Sequence, residues 1–462
     1  MSSVSSGNQQ LASSSALLAA SLSSFMAALD VTALNVALPS IKAEFQVGIA
    51  QLQWIIGIYT LTFAGLLLTA GALSDRFGAR RMLILALTTF ALFSVICGLT
   101  VDMTWLICAR ALQGSGAALM LPSSMALLAA AYPDALQRAK AMATWGGVSA
   151  IALVTGPLLG GMLIEWFGWR SVFFVNALPC TTAIICILRI PRQVHVRSGY
   201  FDWLGQALSL VALACVTFVL IEAPSVGWLT LEILLPLAVA SLAGIGFIKA
   251  QKIQAHPMMP LQLFESKAFS ASLMTGLMQT MAYYGSLFLL PLSLQANGTS
   301  PLDVGVAMIP MTIATGMMAA FSGRLIALAG ARTVGFLGLS SGTVGAGLLG
   351  LFGLEMPNLI FGGTLIGLGG GTLPIIITAC MSSTPAGRIG IGTGIFNVSR
   401  QCGGLIGIAS IGSVIRSTND TGLGFLLIGL GFLISATLMV RYLYQNSIEG
   451  AMKTNQDHIS PG

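Results

Sequence analysis

The feature that most restricts this chain is the recurrence of apolar runs such as LALTTFALFSVICGL (85–99) and FLLIGLGFLISATLMV (425–440), parted by short charged connectors such as SDRFGARR (74–81). Each run approaches the ~20 residues an α-helix needs to cross a ~30 Å hydrocarbon layer. Backbone polar groups find no partner in lipid, so only helices or closed barrels span it. The alternating polar and apolar residues of barrel strands are not seen. Charged residues make up 8% of the 462, against about 25% in soluble domains. The sequence therefore predicts an all-α polytopic membrane protein.

The pattern predicts fourteen helices, over 15–38, 51–71, 82–100, 104–130, 139–163, 169–189, 204–222, 229–250, 269–292, 304–327, 334–353, 358–381, 390–413 and 422–444. An even number leaves both termini on one side. Basic residues identify that side as cytoplasmic. Arg76, Arg80, Arg81, Arg138, Lys140, Arg189, Arg192, Arg197, Lys249, Lys252, Lys267, Arg324, Arg332, Arg388, Arg441 and Lys453 fall there, against only Lys42, Arg170 and Arg416 opposite. The net charge of +6 then reflects topology and contact with anionic lipid, not nucleic-acid binding. The polar N-terminus has no basic segment ahead of its apolar run, so no cleaved signal is expected.

Gly71–Arg81 (GALSDRFGARR) and Gly323–Arg332 (GRLIALAGAR) share the pattern G-x6-G-A-R. The repeat divides the chain into a cytoplasmic tail (1–14), a six-helix bundle (15–189), a linker (190–203), two inserted helices (204–250), a linker (251–268), a second six-helix bundle (269–444) and a cytoplasmic tail (445–462). Paired bundles with a site at their interface are a transporter architecture.

At depth the sequence places one carboxylate, Asp30, and two guanidinium groups, Arg110 and Arg400. A charge at the centre of a spanning helix costs about 2.5–3.5 kcal/mol, so such residues face a cavity or a partner. Removal from water favours the neutral acid, so a carboxyl at this depth can take up and release a proton; a nearby arginine opposes that. Helix directions put Asp30 and Arg110 at comparable depth. They form either a permanent structural pair or a switch that is closed in one conformation and open in another. Gln113, one turn below Arg110, can relay or orient through hydrogen bonds. Asn35, Trp54, Tyr59, Gln279, Tyr283, Tyr284, Asn397, Arg400 and Gln401 are candidates for lining a substrate site or a helix interface. In Gly156-Pro157 and Gly160-Gly161, proline removes a helix bond and glycine permits close approach, so a bend or tight packing is expected there.

The three histidines (195, 256, 458) fall in connectors or the tail, and there is no GxxxxGK[ST] phosphate loop. Neither an enzyme nor an ATP-driven pump is expected, and no cofactor or metal. The seven cysteines form no CxxC and read as reduced thiols.

Together, LDVTALNVALPSI (29–41), GALSDRFGARR (71–81), RALQGSGAA (110–118), GPLLGG (156–161), WRSVFFVNALP (169–179), FDWLG (201–205) and GTGIFNVSRQCGG (392–404) resemble the major facilitator superfamily, and within it the fourteen-helix drug:proton antiporters. The resemblance implies two six-helix bundles plus two inserted helices in a bacterial inner membrane. It implies export of lipophilic, cationic drugs or antiseptics by a single chain, driven by protons without a cofactor. It assigns proton coupling to Asp30 and Arg110, a conformational latch to Gly71, Asp75, Arg76, Gly78 and Arg80, and an antiporter motif to Gly156, Pro157, Gly160 and Gly161. Alternatives are export of an endogenous metabolite, peptide or siderophore, and a sensor or scaffold that no longer transports.

Overall fold

The computed structural model describes residues 2–191, 202–254 and 257–442. The first six crossings are α1 (Ser2–Phe45), α2 (Ile49–Phe77), α3 (Ala79–Leu99), α4 (Met103–Ala131), α5 (Ala135–Phe167) and the pair α6 (Ser171–Phe174) and α7 (Ala177–Leu188). The inserted crossings are α8 (Trp203–Val226) and α9 (Leu231–Ile253). The last six are α10 (Lys267–Ala296), α11 (Pro301–Ala307) with α12 (Ile309–Ala329), α13 (Ala331–Phe352), α14 (Met356–Gly370) with α15 (Leu373–Ser382), α16 (Ile389–Thr418) and α17 (Thr421–Tyr442). Thirteen of these segments are long and apolar enough to cross a membrane. The fourteenth, α10, has the length, but it carries Thr275, Gln279, Thr280, Ser286 and Ser293, all buried against neighbouring helices.

The crossings follow the expected order, with differences at their ends and breaks within three of them. The helix containing the expected 1–14 tail starts at Ser2, and its far end runs on to Phe45 rather than stopping near residue 38. Crossing six is interrupted at Val175-Asn176, crossing ten at Met308 and crossing twelve at Gly371-Thr372. Pro310 and Pro374 lie at the starts of the helices after two of these breaks, where a missing N–H costs no internal bond. Parts of the expected linkers, and Phe201 of the FDWLG motif, lie outside the described residues, as does the 445–462 tail.

α1 to α7 pack as one bundle and α10 to α17 as another, meeting along α2 and α16, α5 with α11 and α12, and α1 and α10. Away from the termini their interiors merge: Leu34, Ile55 and Phe173 of the first bundle share one apolar cluster with Leu287, Ile408 and Phe425 of the second. Toward the termini the buried clusters are distinct, one around Leu83, Phe90 and Leu127, against which Val398 of α16 packs, and another around Phe269, Ile376 and Phe396. Polar bonds follow the same division. Gln53 donates to Ile408 O (2.9 Å) and Ala409 O (2.7 Å), and Gln295 donates to Val36 O (2.9 Å). In α5 only Ala141 is buried among residues 135–151, whereas Gly156, Pro157, Gly160, Gly161 and Ile164 are buried. The halves are closed together on the face opposite the termini.

The inserted helix α8 lies along α2. Gln206 donates to Gly65 O (2.7 Å) and accepts from Thr69, while Trp54 Nε1 donates to Glu222 Oε1 (2.8 Å) at the other end. The hydrogen bonds from α16 to α8 lie only at the end far from the termini. There Ser413 donates to Leu220 O (2.7 Å), and Arg416 to Ser225 Oγ (2.6 Å) and Ile221 O.

Candidate functional site

Asp30 and Arg110 meet inside the first bundle. Arg110 Nη1 donates to Asp30 Oδ2 at 2.7 Å, and the two side chains are 0–1% exposed. The same nitrogen donates to Gln113 Oε1 (2.7 Å), and Gln113 Nε2 returns a bond to Asp30 Oδ1 (2.9 Å). Arg110 and Gln113 stand three residues apart on α4, the helical spacing that lets two side chains converge on one target. Asn176 Nδ2 is shared between Asp30 Oδ1 (3.2 Å) and Ser94 Oγ (2.9 Å), and Ser94 donates to Phe173 O (2.8 Å). Arg110 Nε reaches Ile55 O (3.3 Å), and its guanidinium lies 4.2 Å from the Tyr59 ring centroid. Four crossings besides α1 are thus tied to one carboxylate.

The sequence reading found Asp30, Arg110 and Gln113 but not Asn176 or Ser94. A lone asparagine in an apolar run carries no local mark. Only its position in WRSVFFVNALP, at the helix break between α6 and α7, sets it apart.

The remaining candidates divide between packing roles and an open flank. Trp54 joins α8 rather than a central space. Tyr59 is 2% exposed and stacks on Arg110. Asn35 donates to Val31 O (2.6 Å) within its own helix, and Gln279 to Gly370 O (2.7 Å). Tyr283 is buried against Gly370, and partly buried Tyr284 lies against Gly404. Asn397 donates to Thr393 O (3.1 Å). Arg400 Nε and Gln401 Oε1, like Asn35 Oδ1, are buried with no hydrogen-bond partner, and Arg400 is the one charged group among these three.

The α2–α3 connector is a surface turn. Gly78 has φ 94°, and Gly330 of the second copy has φ 78°, conformations that glycine adopts without penalty. The repeated G-A-R therefore has a backbone cause. Asp75 is exposed, and neither of the two ion pairs among the described residues includes it. Arg76 lies over Phe77, and Arg80 donates to Ile187 O (3.1 Å) and Leu188 O (3.3 Å), closing the end of α7. Gly71 has open space where a side chain would begin.

The α5 glycines sit at two kinds of contact. A Cβ on Gly156 would overlap Thr32, and one on Gly160 would lie 2.9 Å from Ala33 Cα, both on α1 in the same bundle. A Cβ on Gly161 would lie 2.5 Å from Pro301 O, across the bundle boundary. The helix runs unbroken through Pro157.

Residues 20–285 match the family model described as Major Facilitator Superfamily. Multidrug resistance protein Stp of Mycobacterium tuberculosis is 33% identical over 410 residues, covering 87% of this chain and 75% of that protein. Methylenomycin A resistance protein of Bacillus subtilis is 32% identical over 440 residues, covering 93% and 94%. Tetracenomycin C resistance and export protein of Streptomyces glaucescens is 33% identical over 414 residues, covering 87% and 76%. The crystal structure of a D-xylose-proton symporter superposes with a TM-score of 0.65 at 14% identity, covering 93% of this chain and 97% of that one, a likeness of fold.

Proposed function

Because the chain belongs to the major facilitator superfamily, and is a multi-pass membrane transporter rather than an enzyme, we propose that it exports lipophilic small molecules in exchange for protons. The observation that carries this reading is the enclosure of Asp30. Apart from Asp30, every described carboxylate lies at or near a helix end. Asp30 is held by Arg110, Gln113 and Asn176 together. Relatives named for multidrug, methylenomycin A and tetracenomycin C resistance support the drug-export part.

The basic residues orient the termini toward the cytoplasm of a bacterial inner membrane, where they meet anionic lipid. Closure on the opposite face then makes this the inward-facing form. In it Arg110 is the counter-ion of Asp30. Protonation from outside removes the anion that Arg110, Gln113 and Asn176 converge on, and the five crossings around it repack. Cargo and proton bias the two forms through their different affinities, and no ATP is required. One chain with one interior suffices for this cycle.

The sequence-based expectation of cationic cargo is not part of the proposal. Asp30, the one deep anion among the described residues, is already neutralised by Arg110 in this form.

The test is uptake into inverted vesicles under an imposed pH gradient. Wild-type protein accumulates a lipophilic dye only while the gradient lasts, and Asp30→Asn does not. Undiminished gradient-driven uptake by that variant refutes the coupling role.

A further inference from the structure

Among the described residues, Arg400 stands apart from the other arginines whose side chains reach protein partners. Arg110 binds Asp30 and Ile55 O, and Arg170 binds Glu44 and Thr100 O. Arg80 closes α7, and Arg416 bonds to Ser225 and Ile221 O. Arg400 is the twelfth residue of α16, about 17 Å along the helix at ~1.5 Å per residue. It is half-buried, its Nε is enclosed, and it makes no hydrogen bond or ion pair with any described residue.

The helix periodicity fixes where it faces. Gly394, Leu405 and Gly412 lie against Leu68, Gly57 and Gln53 of α2. Ser399 donates to Leu273 O, while Gly403 and Gly407 abut the α10 backbone at Leu277 and Met281. Ser413 and Arg416 occupy one flank between these faces, which α8 closes. At 3.6 residues per turn, Asn397 and Arg400 fall on the other flank, where Tyr284 covers Gly404. That flank faces the interior between the bundles. Gln401 lies at its margin, 5% exposed, with Oε1 unpartnered.

We infer that Arg400, with Asn397 and Gln401 beside it, is the recognition site for a carboxylate carried by the transported lipophile. This rests on the export reading and names the class of cargo. A guanidinium at depth without a counter-ion is costly, and its planar fork matches both oxygens of a carboxylate. Partly buried Leu277, Met281 and Tyr284 on α10 offer apolar surface beside it. No second deep carboxylate is present among the described residues to pair with Arg400 in another conformation, because Asp30 is bound to Arg110. An incoming organic acid supplies the missing anion; an ammonium group meets a like charge.

The test compares three probes with one fluorophore: 4-(1-pyrenyl)butyrate, its methyl ester, and a pyrenylbutyl trimethylammonium. Binding to the purified full-length protein is read by energy transfer from tryptophan at neutral pH, with no gradient. Wild-type protein binds the acid roughly tenfold or more tightly than the ester, the scale of a charge-assisted bond, and binds the ammonium most weakly. Arg400→Gln brings the acid-to-ester ratio close to one. Arg400→Lys keeps part of it, having charge without the fork. Equal or tighter wild-type binding of ester or ammonium overturns the inference, as does binding of none of the three or an acid preference that survives Arg400→Gln. A melting curve confirms that the variants are folded, and Arg400→Lys decides if Arg400→Gln is not. The export reading fails separately, if proteoliposomes move no probe of any charge under a pH gradient.

Discussion

Arg110 Nη1 lies 2.7 Å from Asp30 Oδ2 with both side chains sealed from solvent, and that one nitrogen also holds Gln113. Removing either partner strands a charge inside the bundle. Asp30→Asn and Arg110→Met are each expected to lower stability by about 3–5 kcal/mol, and the double variant by less than their sum. Thermal unfolding in detergent across the four proteins measures this. Gradient-driven transport should be absent from all three variants.

Asn176 ties Asp30 to Ser94 across three elements. Asn176→Ala leaves a carboxylate oxygen and a hydroxyl each short of a bond, so a loss of about 1–3 kcal/mol is expected. The melting temperature should fall while the protein still folds. An unchanged melting temperature would mean that water replaces the amide without cost.

Gly160 and Gly161 are neighbours with different contacts, so the same substitution should act differently on them. Gly160→Val drives a side chain into Ala33 within one bundle and is expected to reduce folded yield. Gly161→Val wedges Pro301 across the boundary and should loosen closure on the face opposite the termini. Thiol labelling of a cysteine introduced at Leu302 reads the second effect as faster modification. Gln53→Leu, which removes two cross-bundle bonds, should push labelling the same way.

Asp202 caps α8 through Gly205 N (2.6 Å) and accepts from Gln251 Nε2 on α9 (2.5 Å). Burial favours its neutral form, but the bonds from Gln251, Gly205, Gln254 and Met258 outweigh burial and hold the carboxyl below its ordinary range. A carboxyl lowered on folding stabilises above the unfolded value of about 3.9, and that contribution is lost as pH falls through the lower folded value. Wild-type protein should therefore melt higher than Asp202→Asn near neutral pH, with the difference vanishing at pH well below about 4. A difference that persists in acid would contradict this account.

The crossings were legible because hydropathy is a local property: a run of apolar residues announces a helix wherever it sits. Asp30 and Arg110 were legible because charge is rare at depth. What packs against what was harder to read, since lipid is as apolar as leucine and a helix face turned to protein looks like one turned to lipid. For that reason nothing in the sequence attached α8 to α2, or assigned Trp54 to Glu222 rather than to the interior. The breaks at Asn176 and Gly371 escaped notice because the hydropathy continues through them. Arg400 was visible as a deep charge, but its lack of a partner depends on which residues surround it in three dimensions.

The fastening of α8 has a mechanical consequence. Bolted to α2 near both ends but to α16 at one end only, the hairpin must ride with the first half whenever the two halves tilt. The sliding that such a tilt demands then falls on the seam between α8 and α16 at the end nearest the termini, where no hydrogen bond joins these two helices.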